Sequence, residues 1–210
     1  MSLLNFFWTD RIEVFTLTAE HLWMVGVSML LAVIIGIPLG ILITRRPSFQ
    51  RPILGSANIM ETIPSLALFG LLLPLPWLGS RADRLAILAL TLYALLPIIR
   101  NTHAGIMGID PAIVEAGRGM GMTDWQLLFH VQVPLSMSVI IAGVRIATVI
   151  SVGVATIAAA IGAGGLGEFI FRGLSMVNNN LILAGAIPAA IMALVADIAL
   201  GQLERMLRRG

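Results

Sequence analysis

A run of 22 residues without a single charge, from Leu22 to Ile43, restricts this chain more than any other feature. As an α-helix the run would be roughly 33 Å long, which matches the hydrocarbon core of a bilayer. The rest of the chain agrees, because 58% of its 210 residues are hydrophobic and only 11% are charged. A soluble domain carries about 25% charged residues. The sequence therefore predicts an integral membrane protein.

Four further apolar runs are long enough, or nearly so, to cross the same bilayer. The second run contains Pro64, and the third is short and lies between Arg84 and Arg100. Residues 1–21 are predicted to form an external, interfacial lead-in, and residues 22–210 a transmembrane domain. The predicted fold class is an all-α polytopic membrane protein with about five transmembrane helices, at 22–43, 53–73, 85–99, 135–161 and 181–203.

The arginines predict how the chain is oriented. All 13 basic residues are arginine, and Arg145 alone lies inside a predicted span. Five crossings place the termini on opposite sides, so that four arginines fall on one side and eight on the other. By the positive-inside rule the N-terminus is outside, whereas the C-terminus and the loop 101–134 are cytoplasmic. The eight arginines of the cytoplasmic side are Arg45, Arg46, Arg51, Arg100, Arg118, Arg205, Arg208 and Arg209.

Several chemistries are excluded by composition. The chain has no cysteine and no lysine, so it offers neither a thiolate nor the lysine of a Walker A motif. Gly162–Gly167 fits G-x-G-x-x-G but follows an apolar helix instead of a strand, which predicts an external turn and not a dinucleotide site. The three histidines form no ligand pair at helical spacing, and the arginines are scattered. We therefore predict no catalytic residue, no metal site and no nucleic-acid partner.

The loop 101–134 is the longest polar interruption of the chain. Asp110 followed by Pro111 is typical of a helix start, and Thr123 or Asp124 can cap a second helix. These signals allow either an amphipathic loop on the membrane surface or a docking surface for a cytoplasmic partner. The breaks between the helical pieces are predicted at three glycines, Gly117, Gly119 and Gly121.

In this loop, Glu115-Ala116-Gly117 is followed after three residues by Gly121 and after nine more by Val131-Gln132-Val133-Pro134. This pattern resembles the EAA motif of ABC importer permeases, E-A-A-x3-G-x9-I-x-L-P. The departures are glycine for the second alanine and valine for isoleucine and leucine. The resemblance implies a coupling loop that docks on an ATPase subunit, so that bulk at Gly121 would reduce docking. The implied coupling residues are Glu115, Ala116, Gly117, Gly121 and Pro134.

Longer stretches, such as "METIPSLALFGLLLP" and "VISVGVATIAAAIGAGGLGEFIFRGLSM", resemble the permease subunits of osmoprotectant importers for glycine betaine, choline or carnitine. This resemblance implies a type I importer fold like that of the methionine importer, in a bacterial inner membrane. It also implies two ATPase subunits that bind ATP and magnesium, an external solute-binding protein, and a second permease subunit, identical or homologous. The alternatives are an importer of another small solute, such as an amino acid, and an ATP-independent secondary transporter.

Three charged residues lie inside the predicted spans, where ionised side chains are usually paired or face water. From the predicted boundaries, Glu61 is roughly 12 Å, Arg145 roughly 15 Å and Asp197 roughly 9 Å from the cytoplasmic ends. We expect Arg145 to pair with Glu61 first and with Asp197 second, beside the solute path. The residues predicted to line this path are Glu61, Pro64, Tyr93, Arg145, Ser151 and Asp197.

Small residues recur at every fourth position of the fourth span and form one ridge on a helix. Such a ridge lets a neighbouring helix approach closely. The sequence leaves open whether that neighbour belongs to the same subunit or to a second one, or whether the ridge lines the pore. The ridge consists of Gly143, Ala147, Ser151, Ala155 and Ala159.

Overall fold

The structure is a computed structural model that describes residues 7–75 and 81–209. The first six residues of the predicted lead-in lie outside this range, and the first long helix already begins within the lead-in, at Arg11. The all-α prediction is confirmed. The helices are α1 (Arg11–Arg45), α2 (Gln50–Thr62), α3 (Ser65–Leu72), α4 (Ala82–Met107), α5 (Pro111–Gly119), α6 (Asp124–Leu127), α7 (Val133–Ala158), α8 (Gly167–Ser175) and α9 (Asn179–Arg209).

Within the described residues, four helical stretches are long and apolar enough to cross a membrane: Arg11–Arg45, Ala82–Met107, Asp124–Ile161 and Asn179–Arg208. They contain the first, third, fourth and fifth predicted spans. The third predicted span, 85–99, is longer in the structure, because α4 continues through the first seven residues of the loop 101–134. These stretches form the main body of the subunit.

The second predicted span is two helices, α2 and α3, instead of one. Pro64 has no backbone N–H to continue the helix, and it restricts the residue before it to extended conformations. Ile63 accordingly has φ −68° and ψ 126°. The Tyr93 hydroxyl of α4 donates a hydrogen bond to the Ile63 carbonyl at this break. The carbonyl that the break exposes is thereby satisfied inside the protein, as a low-dielectric environment requires.

The broken segment nevertheless runs the length of the bundle. Helices α1 and α4 are parallel, since Ser28 contacts Ile87 near one end and Thr44 contacts His103 near the other. The chain must therefore return between Arg45 and Ala82. Segment α2–α3 makes this return antiparallel to α4, as three contacts along it show: Gln50 with His103, Asn58 with Arg100, and Ile63 with Tyr93. The segments that the structure describes thus pass along the bundle five times, and we call the end that holds Arg45 and His103 the loop end.

Helices α4 and α7 cross at close range through the small-residue ridge. A Cβ at Gly143 would lie 2.6 Å from the Asn101 Cβ and 2.8 Å from the Pro97 carbonyl oxygen. Further along α7, the Ser151 hydroxyl is buried and lies 3.7 Å from the Met29 sulfur of α1. The ridge therefore packs against α4 and α1 of its own subunit. Of the three alternatives that the sequence leaves open, packing within the subunit is confirmed.

The glycine-rich turn Gly162–Gly167 lies at the end opposite the loop end. It follows α7 and a short 3-10 turn and leads into α8, so the predicted turn is confirmed. Gly162, Gly164 and Gly165 have φ near +80°, a left-handed conformation that glycine adopts without steric cost. The Glu20 carboxylate accepts a hydrogen bond from the Gly165 amide at 3.1 Å and so joins this turn to α1.

Candidate functional site

The loop 101–134 projects from the loop end of the bundle as two helical pieces. The first, α5, starts as the sequence predicts. An oxygen of the Asp110 carboxylate accepts the Ala112 amide at 2.9 Å, and Pro111 occupies the first turn. Along α5, Glu115 and Ala116 are exposed while Gly117 is buried. A Cβ on Gly117 would lie 2.6 Å from the Leu127 Cδ1. Leu127 thus fills the space that the second alanine of an EAA motif would need.

Helix α5 ends later than predicted. Gly117 and Gly119 are helical, so only the last of the three predicted glycine breaks is correct. The Met122 amide donates to the Gly117 carbonyl and the Gly121 amide to the Arg118 carbonyl, which is the Schellman pattern of a helix end. Gly121 has φ +83°, where side-chain-bearing residues are strained. The chain reverses at Gly121 because of this backbone conformation.

The second piece is continuous with the fourth span. Thr123 and Gln126 form a capping box, in which the Gln126 side chain accepts the Thr123 amide at 2.8 Å and the Thr123 hydroxyl accepts the Gln126 amide at 3.3 Å. Helix α6 then passes through one π-helical turn, Leu128–Gln132, into α7. The helix continues through Pro134, which lies two residues beyond this π-helical turn. The result is one rod from the projecting loop to the far end of the membrane-spanning region.

Arg45, at the end of α1, ties this rod to the rest of the bundle. One guanidinium nitrogen donates to the Gln132 side chain at 2.7 Å and to the Asp124 carbonyl at 3.2 Å. Gln132 is buried, so this charged hydrogen bond also satisfies an amide that would otherwise be costly to bury. In the sequence, Arg45 indicated only the orientation of the chain. A single sequence contains no signal for a pairing between residues so far apart in the chain.

The loop carries an exposed apolar surface. Trp125 is 70% exposed and stacks on Phe129 with ring centroids 5.5 Å apart. The two residues are one helical turn apart, so this pair was visible in the sequence. Clusters of large exposed apolar side chains commonly mark interaction sites. We call four exposed apolar side chains of this loop the loop surface: Ile113, Met120, Trp125 and Phe129.

A second polar feature joins α7 to α9. The Arg145 guanidinium donates to both oxygens of Asp197, at 2.6 and 2.9 Å, and to Glu204 at 3.3 Å. The predicted pairing with Asp197 is confirmed, and Glu204 is a further partner that the sequence analysis missed. The expected pair with Glu61 is wrong, because α2 packs on the side of the bundle formed by α1 and α4. An ionised side chain at mid-membrane costs at least ~2.5 kcal/mol on insertion scales, which accounts for this pairing.

The six predicted path residues thus fall into different environments. Arg145 and Asp197 are together, and the hydroxyl of Tyr93 meets the backbone next to Pro64. Tyr93 and Ser151 are buried inside the subunit. Glu61 is exposed on α2 and belongs to neither group. The structure does not bring the six together, and their role in solute passage stays a prediction.

Residues 36–209 match the family described as binding-protein-dependent transport system inner membrane component. The chain is 44% identical over 203 residues to the carnitine transport permease protein OpuCB of Listeria monocytogenes, covering 97% of this chain and 92% of that protein. It is 46% identical over 194 residues to the osmoprotectant import permease protein OsmW of Salmonella typhimurium, covering 91% and 90%.

The fold is also similar to that of a solved transporter. The structure superposes on a chain of the MetNI methionine ABC transporter, in an inward-facing conformation, with a TM-score of 0.84. The two chains are 25% identical, and 99% of each is covered. This superposition confirms the predicted methionine-importer-like fold.

Proposed function

Because the chain belongs to the family of binding-protein-dependent transport system inner membrane components, we propose that it is the permease subunit of an ATP-driven osmoprotectant importer. The solute class is glycine betaine, choline or carnitine, because relatives of this chain are named as permeases for these osmoprotectants. The observation that carries the coupling role is that Trp125 and Phe129 of the loop surface lie on a helical rod that continues into α7. ATP hydrolysis takes place on separate subunits that hold ATP and magnesium.

In this proposal the projecting loop transmits motion in both directions. ATP binding brings the two ATPase subunits together, and each carries a docked loop with it. Since α6 and α7 form one rod, displacement of the loop displaces the fourth span. The coupling residues Glu115, Ala116, Gly117, Gly121 and Pro134 shape this contact: the first two face outward, and the glycines set the fold of the loop.

We further propose that two permease subunits share the solute path. The interior of one subunit is filled around Tyr93 and Ser151, so a path through its centre has no room. A path between two subunits avoids this difficulty and can use the exposed Glu61 and the break at Pro64. The external binding protein would deliver its solute at the end that holds the glycine-rich turn. In such importers the second subunit is either identical or homologous, and uptake by the reconstituted complex can be measured in both cases.

The orientation follows from this arrangement: the loop end is cytoplasmic, in a bacterial inner membrane. Val177 lies at the opposite end and is 87% exposed, whereas Met206, in the last turns of α9, is 70% exposed. Because the chain has no cysteine, Val177→Cys and Met206→Cys give single labelling sites. A membrane-impermeant thiol reagent applied to spheroplasts should label the first and leave the second unlabelled until the cells are permeabilised. The reverse labelling pattern would contradict both the orientation and the docking role of the loop.

The function itself is tested by uptake into proteoliposomes that contain the permease, its ATPase and the binding protein. We expect ATP-dependent uptake of labelled glycine betaine, choline or carnitine, and loss of uptake with a non-hydrolysable ATP analogue. Uptake of an amino acid in place of all three solutes would still support an ATP-driven importer but would change the proposed solute class. Uptake that persists without the ATPase would establish a secondary transporter instead and overturn the proposal.

A further inference from the structure

Arg145 is held at three nitrogens by one face of α9. Its Nε and one Nη bind the two Asp197 oxygens at 2.6 and 2.9 Å, and the other Nη binds Glu204 at 3.3 Å. Asp197, Gly201 and Glu204 are spaced by four and three residues, so they lie on one side of the helix. A Cβ on Gly201 would be 3.1 Å from an Arg145 nitrogen, so the glycine leaves room for the guanidinium. We call Arg145, Asp197 and Glu204 the clasp.

Arg145 lies on the rod that starts in the projecting loop. The rod is helical from Asp124 to Ile161, and Arg145 is about 30 Å along it from its start. Leu127 and Leu128 are buried at its base, and Arg45 bonds Gln132 there. A displacement imposed on the loop therefore reaches the position of the clasp through continuous helix.

Helix α9 packs along α7, and near the loop end the clasp supplies the polar part of this contact. In the part of the chain that the structure describes, every side-chain hydrogen bond from the second half of α9 to another helix goes to Arg145. The apolar residues of this half that are exposed in the subunit include Leu194, Val195 and Ile198. Lipid tails are as apolar as these side chains, so burial against another helix gives no hydrophobic gain within a membrane.

We propose that the clasp makes α9 move together with α7, so that the movement of the ATPase subunits displaces the last span as well as the fourth. Asp197 and Glu204 are positioning residues in this inference, which rests on the proposed import function. Without the clasp the ATPase still docks and turns over, but the last span no longer follows the rod. ATP hydrolysis is then no longer matched by import.

Asp197→Asn tests the inference, because it keeps the side-chain size and removes the charge. In proteoliposomes with ATPase and binding protein, we expect the ATP hydrolysed per solute imported to rise by about fivefold or more. The ATPase rate and the amount of assembled complex should stay within about twofold of wild type. Glu13→Gln is the matched control, since Glu13 bonds Arg172 between α1 and α8 at 2.8 Å, at the opposite end. The control should leave the ratio unchanged.

A ratio that stays at the wild-type value in Asp197→Asn, or that rises equally in Glu13→Gln, would overturn the inference. Should Asp197→Asn fail to assemble, Arg145→Lys serves in its place, because lysine keeps the charge but cannot bind both Asp197 oxygens through a planar fork. The same rise in the ratio is expected. A swap of Arg145→Asp with Asp197→Arg should lower the ratio again.

A distance measurement separates the clasp from the identity of the solute. Spin labels at Leu135→Cys on α7 and Met206→Cys on α9 occupy exposed positions, and dilution with unlabelled subunits isolates the distance within one subunit. We expect this distance to be the same in the nucleotide-free and the ATP-bound complex of the wild type, and to differ between them in Asp197→Asn. The same dependence of the distance on ATP in wild type and Asp197→Asn would contradict the proposed role of the clasp. Absence of solute uptake by the wild type would contradict only the proposed function.

Discussion

Replacing Gly143 with valine is expected to prevent the subunit from accumulating in the membrane. At Gly143 helix α7 packs tightly against α4, and even a single Cβ there would lie 2.6 Å from the Asn101 Cβ and 2.8 Å from the Pro97 carbonyl oxygen. The carbonyl belongs to the backbone and cannot rotate away, so the two helices must separate. Overpacking of this kind costs about 3 kcal/mol, a large share of the stability of a domain. The amount of folded subunit after solubilisation and size-exclusion chromatography measures the effect.

Gly153 provides the control on the same helix. It lies ten residues further along α7, is exposed in the subunit, and has no atom within 4 Å of a Cβ placed on it. Gly153→Val should accumulate as well as the wild type, because the helical backbone tolerates valine at about the cost of glycine. Equal losses for the two valine variants would show that the α4–α7 crossing is not where the structure places it.

Much of this architecture could be predicted from the sequence because a bilayer sets strict lengths. Every polar backbone group within lipid must be paired, so long apolar runs have to be helices. The loop was equally predictable at its caps, since Asp110 and Thr123 satisfy amides of their own helix within three residues. Both kinds of inference depend on interactions that are local in sequence, and both are confirmed.

The incorrect prediction of a Glu61–Arg145 pair has a different physical origin. Glu61 and Arg145 have similar predicted depths, but depth says nothing about where a helix lies around the bundle. The side of the bundle is decided by packing: Ala57 of α2 packs with Ile43 and Leu96, whereas α9 packs on α7. An estimate of depth in the membrane could rank Glu61 and Asp197 by depth. It could not show which of these two acids lies beside Arg145. The spacing of Asp197 and Glu204 on one helical face was the signal that would have favoured α9.

The break of the second span shows the same limit. Pro64 was visible in the sequence, but a proline in an apolar run can either kink a helix or end it. The outcome depends on whether a neighbour satisfies the exposed carbonyl, and here the Tyr93 hydroxyl does so from α4. Tyr93 was predicted to lie along the solute path. Its structural contact is with the break itself, which no spacing between residues 63 and 93 indicates.

Trp125→Ala is expected to weaken the binding of the ATPase by about 30-fold or more, while the subunit still folds and inserts. Trp125 lies on the projecting loop, is 70% exposed, and stacks on Phe129. Tryptophans at the centre of an interface commonly contribute about 2 kcal/mol or more to binding. The variant leaves the interior intact, because the residues that anchor this loop to the bundle are Leu127, Leu128 and Arg45.

The measurement is the dissociation constant of the ATPase for the permease reconstituted in nanodiscs. Trp23→Ala is the matched control, since Trp23 is 67% exposed on α1 at the end of the bundle opposite the loop. It loses the same side chain and should bind the ATPase with the wild-type dissociation constant. Wild-type binding by Trp125→Ala would mean that the loop surface faces something other than the ATPase, and equal weakening by both variants would point to a general loss of structure. Weakening by Trp125→Ala alone is the outcome that assigns the loop surface to docking, because only that variant changes the projecting loop.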